Sequence, residues 1–244
     1  MSPRQMNLLA ALLLVIAVAL AAGAALTWVA QRPVFALKGI DVRGDLQHVT
    51  AASIRAAIAG RLKGNYFTMR LDDTRRLLET VPWVARVSVR RIWPNRLQVK
   101  LTEHRALGTW DDGRLLSDGG ELFVANAAEA EIHGPLPAFS GPAAVAREVA
   151  RRYYEFSALL APLALVVDGV DVSERRAWSL RVTGPGLAAG RIELGRDAPV
   201  SLSVRLEQLI AAYPMVVAHL GGPPARIDAR YPNGFAASPP AKSR

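Results

Sequence analysis

The chain has 244 residues, of which 51% are hydrophobic, so it is long enough for two modest domains with buried cores and a further segment. It contains no cysteine, which excludes disulfide bonds, catalysis by a thiolate and zinc sites built from cysteine. The formal net charge of +9 is compatible with nucleic acid, anionic lipid or an acidic protein as a partner, and it does not choose among them.

An uncharged apolar run at residues 8–30 predicts a membrane-spanning helix. Such a helix is about 34 Å long, enough to cross a hydrocarbon core of about 30 Å, and Trp28 lies near its far end, where an indole fits the interface. The alternative is a cleaved signal peptide, because the Ala-Gly-Ala at 22–24 resembles a cleavage site. Signal-peptide cores are usually only about 7–15 residues long, so we expect a retained anchor with residues 1–7 in the cytoplasm.

After this run the sequence predicts one strand and two helices. The strand is expected at residues 35–44. Thr50 is a predicted N-cap, and the apolar residues from Ile54 to Leu62 recur every four positions, as on one face of a helix. The second helix is expected at residues 71–81, with two aspartates in its first turn, where the helix dipole favours them.

Residues 81–103 predict a β-hairpin, because apolar residues alternate with polar or charged ones on both arms. The Trp-Pro-Asn at 93–95 allows the chain to reverse between the arms. Trp83 lies between the end of a helix and the first arm, and we expect its ring to be buried. The arginines of the hairpin are compatible with a solvated sheet face, a protein-docking surface or a nucleic-acid surface, and the last would need interleaved aromatic residues.

The second half of the chain predicts an antiparallel sheet with two helices. Strand candidates occur at residues 107–124, 165–172, 177–183, 191–195 and 225–231. Apolar periodicity predicts one helix over residues 145–160 and another from Leu202 to Tyr213, which Pro214 should end. Residues 135–142 are expected to form a loop, and residues 238–244 a disordered tail.

The sequence offers no candidate active site, metal site or cofactor site. The glycine-rich segment at 184–189 matches a dinucleotide fingerprint formally, but it leads into a predicted strand and not into a helix, so we interpret it as a hairpin loop. The four histidines are scattered without ligand spacing, and no phosphate-binding loop or nucleophile elbow occurs. We therefore expect a protein that is not an enzyme.

The order of strand, helix, helix, strand and strand after a membrane anchor resembles a POTRA domain. The Gly-Asn-Tyr-Phe at 64–67, the Val-Pro-Trp-Val at 81–84 and the Trp-Pro at 93–94 are similar to the FtsQ/DivIB family of bacterial cell-division proteins. The Ala-Trp-Ser-Leu at 177–180 and the Arg-Tyr-Pro-Asn-Gly at 230–234 extend the resemblance to the second half. The resemblance implies an α+β fold with the following boundaries: a cytoplasmic tail at 1–7, a transmembrane helix at 8–30, a POTRA-like domain at 34–103, an FtsQ-type β domain at 104–237 and a tail at 238–244.

The function that the resemblance implies is scaffolding of the division complex. The family's partners are FtsB, which pairs with FtsL, and through them FtsW and FtsI, which make septal peptidoglycan. The implied location is the inner membrane at the septum, single-pass, with the bulk in the periplasm, where the chain meets no nucleic acid. The alternative is a POTRA-bearing component of protein translocation or outer-membrane assembly, which would be expected to carry several POTRA repeats or a barrel.

The family's partner contacts, carried over by position, fall on Arg175, Arg230, Tyr231, Asn233 and Gly234. Arginines there fit the carboxylates of an acidic segment, the tyrosine fits an aromatic anchor, and the glycine allows a backbone to approach closely. Because the run at 225–231 is the last alternating one, we expect it to be the sheet edge on which a partner strand pairs. The alternative is that the tyrosine belongs to the core and the neighbouring arginine is merely solvated.

Overall fold

The computed structural model describes residues 3–30, 32–62, 64–231 and 234–239. The chain divides into two compact units, a first unit of residues 1–103 and a second unit of residues 104–244.

The first unit begins with a long apolar helix, α1 (Pro3–Ala30). Its apolar span, Met6–Val29, has 24 residues with a mean hydropathy of 2.8, and none of it is buried. By length and composition, α1 is able to cross a membrane.

The rest of the first unit has two helices against a three-stranded sheet. After one 3-10 turn at Pro33–Phe35, its elements are β1 (Gly39–Arg43), α2 (Ala51–Ile58), α3 (Leu71–Leu78), β2 (Val84–Ile92) and β3 (Arg96–Glu103). The sheet order is β1-β3-β2, with β1 parallel and β2 antiparallel to β3. The predicted element order is confirmed.

Local chemistry explains where the helices of the first unit begin and end. The Thr50 side chain accepts a hydrogen bond from the Ser53 N–H at 3.1 Å, and the Ser53 hydroxyl accepts from the Thr50 N–H, which is a capping box. Both helices are shorter than their apolar periodicity predicts, because α2 is followed by Gly60 at φ +68° and α3 by a tight turn. Val81 is nonetheless buried, so its apolar character reflects packing outside the helix.

The hairpin buries the apolar face that its alternation predicts. Leu97, Val99 and Leu101 of β3 are at most 2% exposed. Trp83 is 3% exposed, which confirms its predicted burial, and the His48 ring stacks on it with the ring centroids 3.9 Å apart.

The second unit contains one nine-stranded sheet and three α-helices among the described residues. Its elements are β4 (Ala106–Trp110), β5 (Leu115–Ser117), β6 (Leu122–Phe123), α4 (Ala127–Ala130), β7 (Ala138–Ser140), α5 (Ala146–Leu160), β8 (Val166–Val172), β9 (Trp178–Gly184), β10 (Leu187–Gly195), α6 (Leu202–Leu220), β11 (Arg226–Asp228) and β12 (Ala236–Ser238). The sheet order is β12-β11-β10-β9-β8-β7-β4-β5-β6. The helices α5 and α6 pack on this sheet and on each other, and Phe156, Trp178, Leu180 and Leu206 form part of the buried core between them.

The predicted α+β class is confirmed, and the sheet is mixed, whereas the sequence predicts antiparallel pairing. The pairs β4/β7, β7/β8 and β10/β11 are parallel. The strand β7 lies within residues 135–142, where the sequence predicts a loop. Three residues are too few to show alternation, and β7 is held by neighbours on both sides and by Phe139, which is 2% exposed.

Two boundaries of the second unit also differ from prediction. Pro214 lies inside α6, which continues to Leu220 and ends at Gly221 with φ +72°. The last turns remain helical because Val217 packs against the core, which offsets the hydrogen bond that proline cannot donate. Ser238, the first residue of the predicted tail, is the last residue of β12 and is paired with Arg226, while residues 240–244 lie outside the described part of the chain.

The segment at 184–189 is a hairpin connection, as predicted. Residues 185 and 186 join β9 to β10, and the two strands pair antiparallel. The glycines lead directly into the strand β10, so this segment lacks the helix N-terminus that a dinucleotide pyrophosphate needs.

Candidate partner-binding site

The strand β12 forms one edge of the nine-stranded sheet, and β11 lies inside it. The prediction that the run at 225–231 is the edge is therefore wrong. β11 pairs with β10 on one side and with β12 on the other, and regular strand ends at Asp228. The sequence did not show β12 because its Ala-Ala-Ser has no alternation of large apolar and polar residues.

The last strand is small and accessible. Ala236 and Ser238 are exposed and Ala237 is half-buried. Because β12 has a neighbour only on the β11 side within the described residues, its outer side presents backbone N–H and C=O groups to solvent. Such an edge is able to accept an added strand.

Arg230 is held in place by Asp228. Its Nε donates to Asp228 Oδ1 at 2.8 Å and its Nη2 donates to Asp228 Oδ2 at 2.6 Å, which is a two-pronged ion pair. This hydrogen bonding lowers the pKa of the Asp228 carboxyl and raises the pKa of the Arg230 guanidinium. The Arg230 side chain remains 56% exposed, so it is both fixed and accessible.

Tyr231 projects outward from the same segment. It is 60% exposed, whereas Ile227 and Ala229 are 2% and 4% exposed. The alternative that Tyr231 belongs to the core is therefore wrong. Gly234 is exposed and a methyl group added there would meet no atom of the described chain, and Asn233 lies outside the described residues.

Arg175 lies in the connection between β8 and β9, at the same end of the sheet as Arg230. The register places Val172 opposite Trp178 and Trp178 opposite Gly195, and a Cβ on Gly195 would lie 3.1 Å from the Arg230 Cγ. β9 and β11 are two strand spacings apart, about 10 Å. The structure thus places Arg230 and Tyr231 in the connection between β11 and β12, which we call the β12 corner, and it places Arg175 at the same end of the sheet.

The ion pairs along β8, β9 and β10 include neither Arg175 nor Arg230. Along β8, β9 and β10, Asp171 pairs with Arg181 at 2.6 Å and with Arg191 at 3.4 Å. Arg191 also pairs with Glu193 at 2.9 Å, so cations and carboxylates alternate and largely compensate one another. Arg175 is exposed and takes no part in the ion pairs found among the described residues.

Two supporting residues were missed by the sequence reasoning. Asp228 fixes Arg230, and only its spacing of two residues on an alternating strand could have indicated this. Arg205 is 6% exposed and donates to the carbonyls of Leu194, Arg196 (2.9 Å) and Ala198 (3.2 Å), which anchors the segment after β10. The feature of the sequence that could have indicated this role is a charged residue on the apolar face of a predicted helix.

A metal site is not apparent in the part of the chain that the structure describes. No group of three or more histidine, aspartate or glutamate side chains there is placed to hold an ion. This end of the sheet has exposed backbone at β12, two accessible cations and one aromatic ring, an arrangement that is able to bind a polypeptide.

Comparison with known proteins gives matches over almost the whole chain. Residues 35–104 match the model of the POTRA domain, FtsQ-type, and residues 108–230 match that of cell division protein FtsQ/DivIB, C-terminal. The chain is 43% identical to the cell division protein FtsQ of Burkholderia pseudomallei, over 96% of this chain and 91% of the relative. It is 38% identical to that of Bordetella pertussis over 96% and 90%, and 37% identical to that of Nitrosospira multiformis over 86% of each.

Proposed function

Because this chain belongs to the FtsQ/DivIB family of cell-division proteins, we propose that it is a non-catalytic scaffold of the division complex. It binds FtsB, which pairs with FtsL, and through this pair it helps to control septal peptidoglycan synthesis by FtsW and FtsI. The observation that carries the proposal is the short exposed edge β12 beside a corner of accessible arginine and tyrosine side chains.

The proposed location is the inner membrane at the division septum, with the N-terminus in the cytoplasm and both folded units in the periplasm. The support is the single apolar helix α1 near the N-terminus of the described chain and the family membership. In this arrangement the hydrophobic span holds the scaffold beside membrane-embedded partners.

The proposed contact is a strand of the partner added to β12, followed or preceded by an acidic stretch. Asp228 uses the Nε–H and one Nη2–H of Arg230, so the guanidinium keeps further N–H donors for a partner carboxylate. Arg175, before a strand that lies two strand spacings from β11, supplies a second cation, and Tyr231 supplies an exposed aromatic ring close to the end of β11. The open space around Gly234 leaves room for the partner's backbone.

The test is capture of FtsB by the full chain in detergent micelles. Tyr231→Ala and Arg230→Glu should each weaken binding about 30-fold or more, the loss expected for a hot-spot residue worth about 2 kcal/mol. Matched controls are Tyr154→Ala and Arg151→Glu, which change exposed residues of α5 on another element. Circular dichroism verifies that each variant is folded.

Folded Tyr231 and Arg230 variants that bind FtsB as tightly as the controls would remove this site. A loss in the Arg230 variant that a partner Asp or Glu→Lys change restores would identify the carboxylate that pairs with it.

A further inference from the structure

Four aromatic side chains meet at one end of the first unit, and we call Phe35, Tyr66, Phe67 and Trp93 the aromatic cluster. The ring centroid of Phe35 lies 4.9 Å from that of Phe67 and 5.7 Å from that of Trp93. Tyr66 lies 5.2 Å from Phe67 and 5.7 Å from Trp93. The cluster joins the segment after α1, the loop between α2 and α3, and the turn between β2 and β3.

Three hydrogen bonds, two between backbone groups and one from a side-chain amide, hold these three segments together. The Tyr66 N–H donates to the Phe35 carbonyl at 2.9 Å, and the Lys38 N–H donates to the Asn95 carbonyl at 3.0 Å. The Asn95 Nδ2 donates to the Val34 carbonyl at 3.2 Å. The aromatic rings are therefore presented on an ordered backbone, so little conformational entropy is lost when they bind something.

The aromatic cluster is not a buried core. Trp93 is 63% exposed, Phe67 is 48% exposed, and the adjacent Val34 is 59% exposed. Large apolar side chains exposed side by side mark a surface that binds a protein, a ligand or a membrane.

The charge around the cluster favours an anionic surface. The sequence contains no aspartate or glutamate at 32–38, 61–70 or 91–96, the stretches that carry the cluster. It contains seven basic residues there: Arg32, Lys38, Arg61, Lys63, Arg70, Arg91 and Arg96. Aromatic rings flanked by cations are typical of the interface of a bilayer, where indole and phenol rings lie at headgroup depth and cations attract anionic lipids.

The short distance from α1 favours lipid as the occupant of this surface. Phe35 follows Ala30, the last residue of α1, by five positions, so even extended chain would place it no more than about 18 Å away. With 28 residues, α1 is about 42 Å long, which exceeds the hydrocarbon core of about 30 Å, so its end reaches into the headgroup region. There the Arg32 guanidinium lies 3.5 Å from the centroid of the Trp28 ring.

We propose that the aromatic cluster and its basic surround dock on the anionic leaflet from which α1 emerges. Trp93, Phe67 and Val34 enter the headgroup region, and the surrounding cations contact lipid phosphates. This contact fixes the first unit against the bilayer by a second attachment besides α1. The proposal rests on α1 crossing the membrane, as proposed above, and is independent of the β12 corner.

The absence of cysteine allows a direct test by single spin labels. Phe67→Cys and Trp93→Cys are made separately in the full chain, so each label leaves the other three aromatic residues in place. Ser88→Cys is the matched control in the first unit, on the exposed face of β2, about 17 Å of extended strand from Trp93. Val15→Cys, within the apolar span of α1, reports whether the helix crosses the bilayer.

Labelled proteins are reconstituted in vesicles of phosphatidylglycerol and phosphatidylcholine, or of phosphatidylcholine alone. Power-saturation spectroscopy then compares collisions with oxygen, which concentrates in lipid, and with a water-soluble nickel chelate. With phosphatidylglycerol, the labels at 67 and 93 should show an oxygen-to-nickel ratio at least threefold above that at 88. Without the anionic lipid, the ratio should fall toward that of the control.

Labels at 67 and 93 that are as nickel-accessible as the label at 88 would overturn the proposal. Low access to both oxygen and nickel would also overturn it, because it would indicate a protein contact such as a second copy of the chain. Equal depth with and without phosphatidylglycerol would refute the role of the basic surround. A Val15 label in water would show that α1 does not span the vesicle membrane, which would remove the premise.

Discussion

We expect Glu103 to be the most sensitive polar residue of the first unit. Its carboxylate accepts hydrogen bonds from the backbone N–H groups of Gln47 at 3.0 Å, His48 at 3.1 Å and Val49 at 2.7 Å, and its side chain is only 8% exposed. It therefore ties the end of β3 to the chain that leads into α2. Burial alone would raise the pKa of Glu103, but these hydrogen bonds together outweigh it, so the net pKa is lowered.

The expected destabilisation follows from the number of backbone N–H donors that would lose Glu103 as their acceptor. An unpaired buried donor costs about 1–3 kcal/mol, and some of the three donors would regain water, so Glu103→Ala should destabilise the first unit by about 3–5 kcal/mol. Glu103→Gln keeps one acceptor oxygen and loses the charge, so we expect about 2 kcal/mol. The matched control is Glu79→Gln, because Glu79 is exposed and pairs only at 3.8 Å with Arg75, which predicts less than about 0.5 kcal/mol.

Hydrogen exchange of the full chain in micelles, followed by mass spectrometry, measures this effect for the first unit alone, which a single melting curve of two units does not. Peptides from β3 should lose protection about 30-fold in Glu103→Gln at pH 7, the equivalent of about 2 kcal/mol. Because the folded pKa is lowered, the stabilisation is complete above the ordinary glutamate pKa and is lost as the pH falls through the folded one. The difference between wild type and Glu103→Gln should therefore shrink below about pH 4.3. Equal protection in Glu103→Gln and Glu79→Gln would refute the reasoning.

Three further predictions concern burial, the site and topology. Trp83→Ala should cost the first unit about 3–5 kcal/mol, because it empties a site that is 3% exposed, whereas Trp93→Ala should change the hydrogen-exchange protection of β3 little; equal protection of β3 in the two variants would contradict this. Asp228→Asn should leave the fold intact by circular dichroism and weaken FtsB capture about threefold or more, since Arg230 loses its ion pair, and unchanged capture would show that this pair does not position Arg230. Protease added to spheroplasts should digest both folded units and leave a membrane-bound fragment that contains α1; full protection, or a soluble product that lacks the first residues, would contradict the proposed topology.

Sequence patterns predicted the parts of the fold that carry their own periodicity. The hairpin of β2 and β3 and the helix α5 each repeat apolar residues over eight or more positions, long enough for the period to be recognised. The strands β7 and β12 have three residues each, and their neighbours in the sheet hold them in place. The prediction that Pro214 ends the helix was wrong for a related reason. Packing of a later turn of α6 on the core offsets the local preference of proline against a helix interior.

The candidate site was also predicted only in part from the sequence. Resemblance to a family indicated Arg175, Arg230 and Tyr231 by position, and strand register, which no local pattern encodes, places the three residues at one end of the sheet. The prediction that β11 is the edge strand was wrong, because nothing before Ala236 in the chain indicates that a further strand will pair with it. The ion pair of Asp228 with Arg230 depends on side-chain direction along one strand and was found only in the structure.

The shortness of both sheet edges has a consequence for selectivity. β12 has three residues and β6, at the other edge, has two, so an added strand would gain only a few backbone hydrogen bonds. At about 1 kcal/mol net each, these bonds supply less than the 4–15 kcal/mol that association costs in lost motion. A strand that made only these backbone hydrogen bonds would therefore bind weakly, and we expect a stable partner to contact the neighbouring side chains as well.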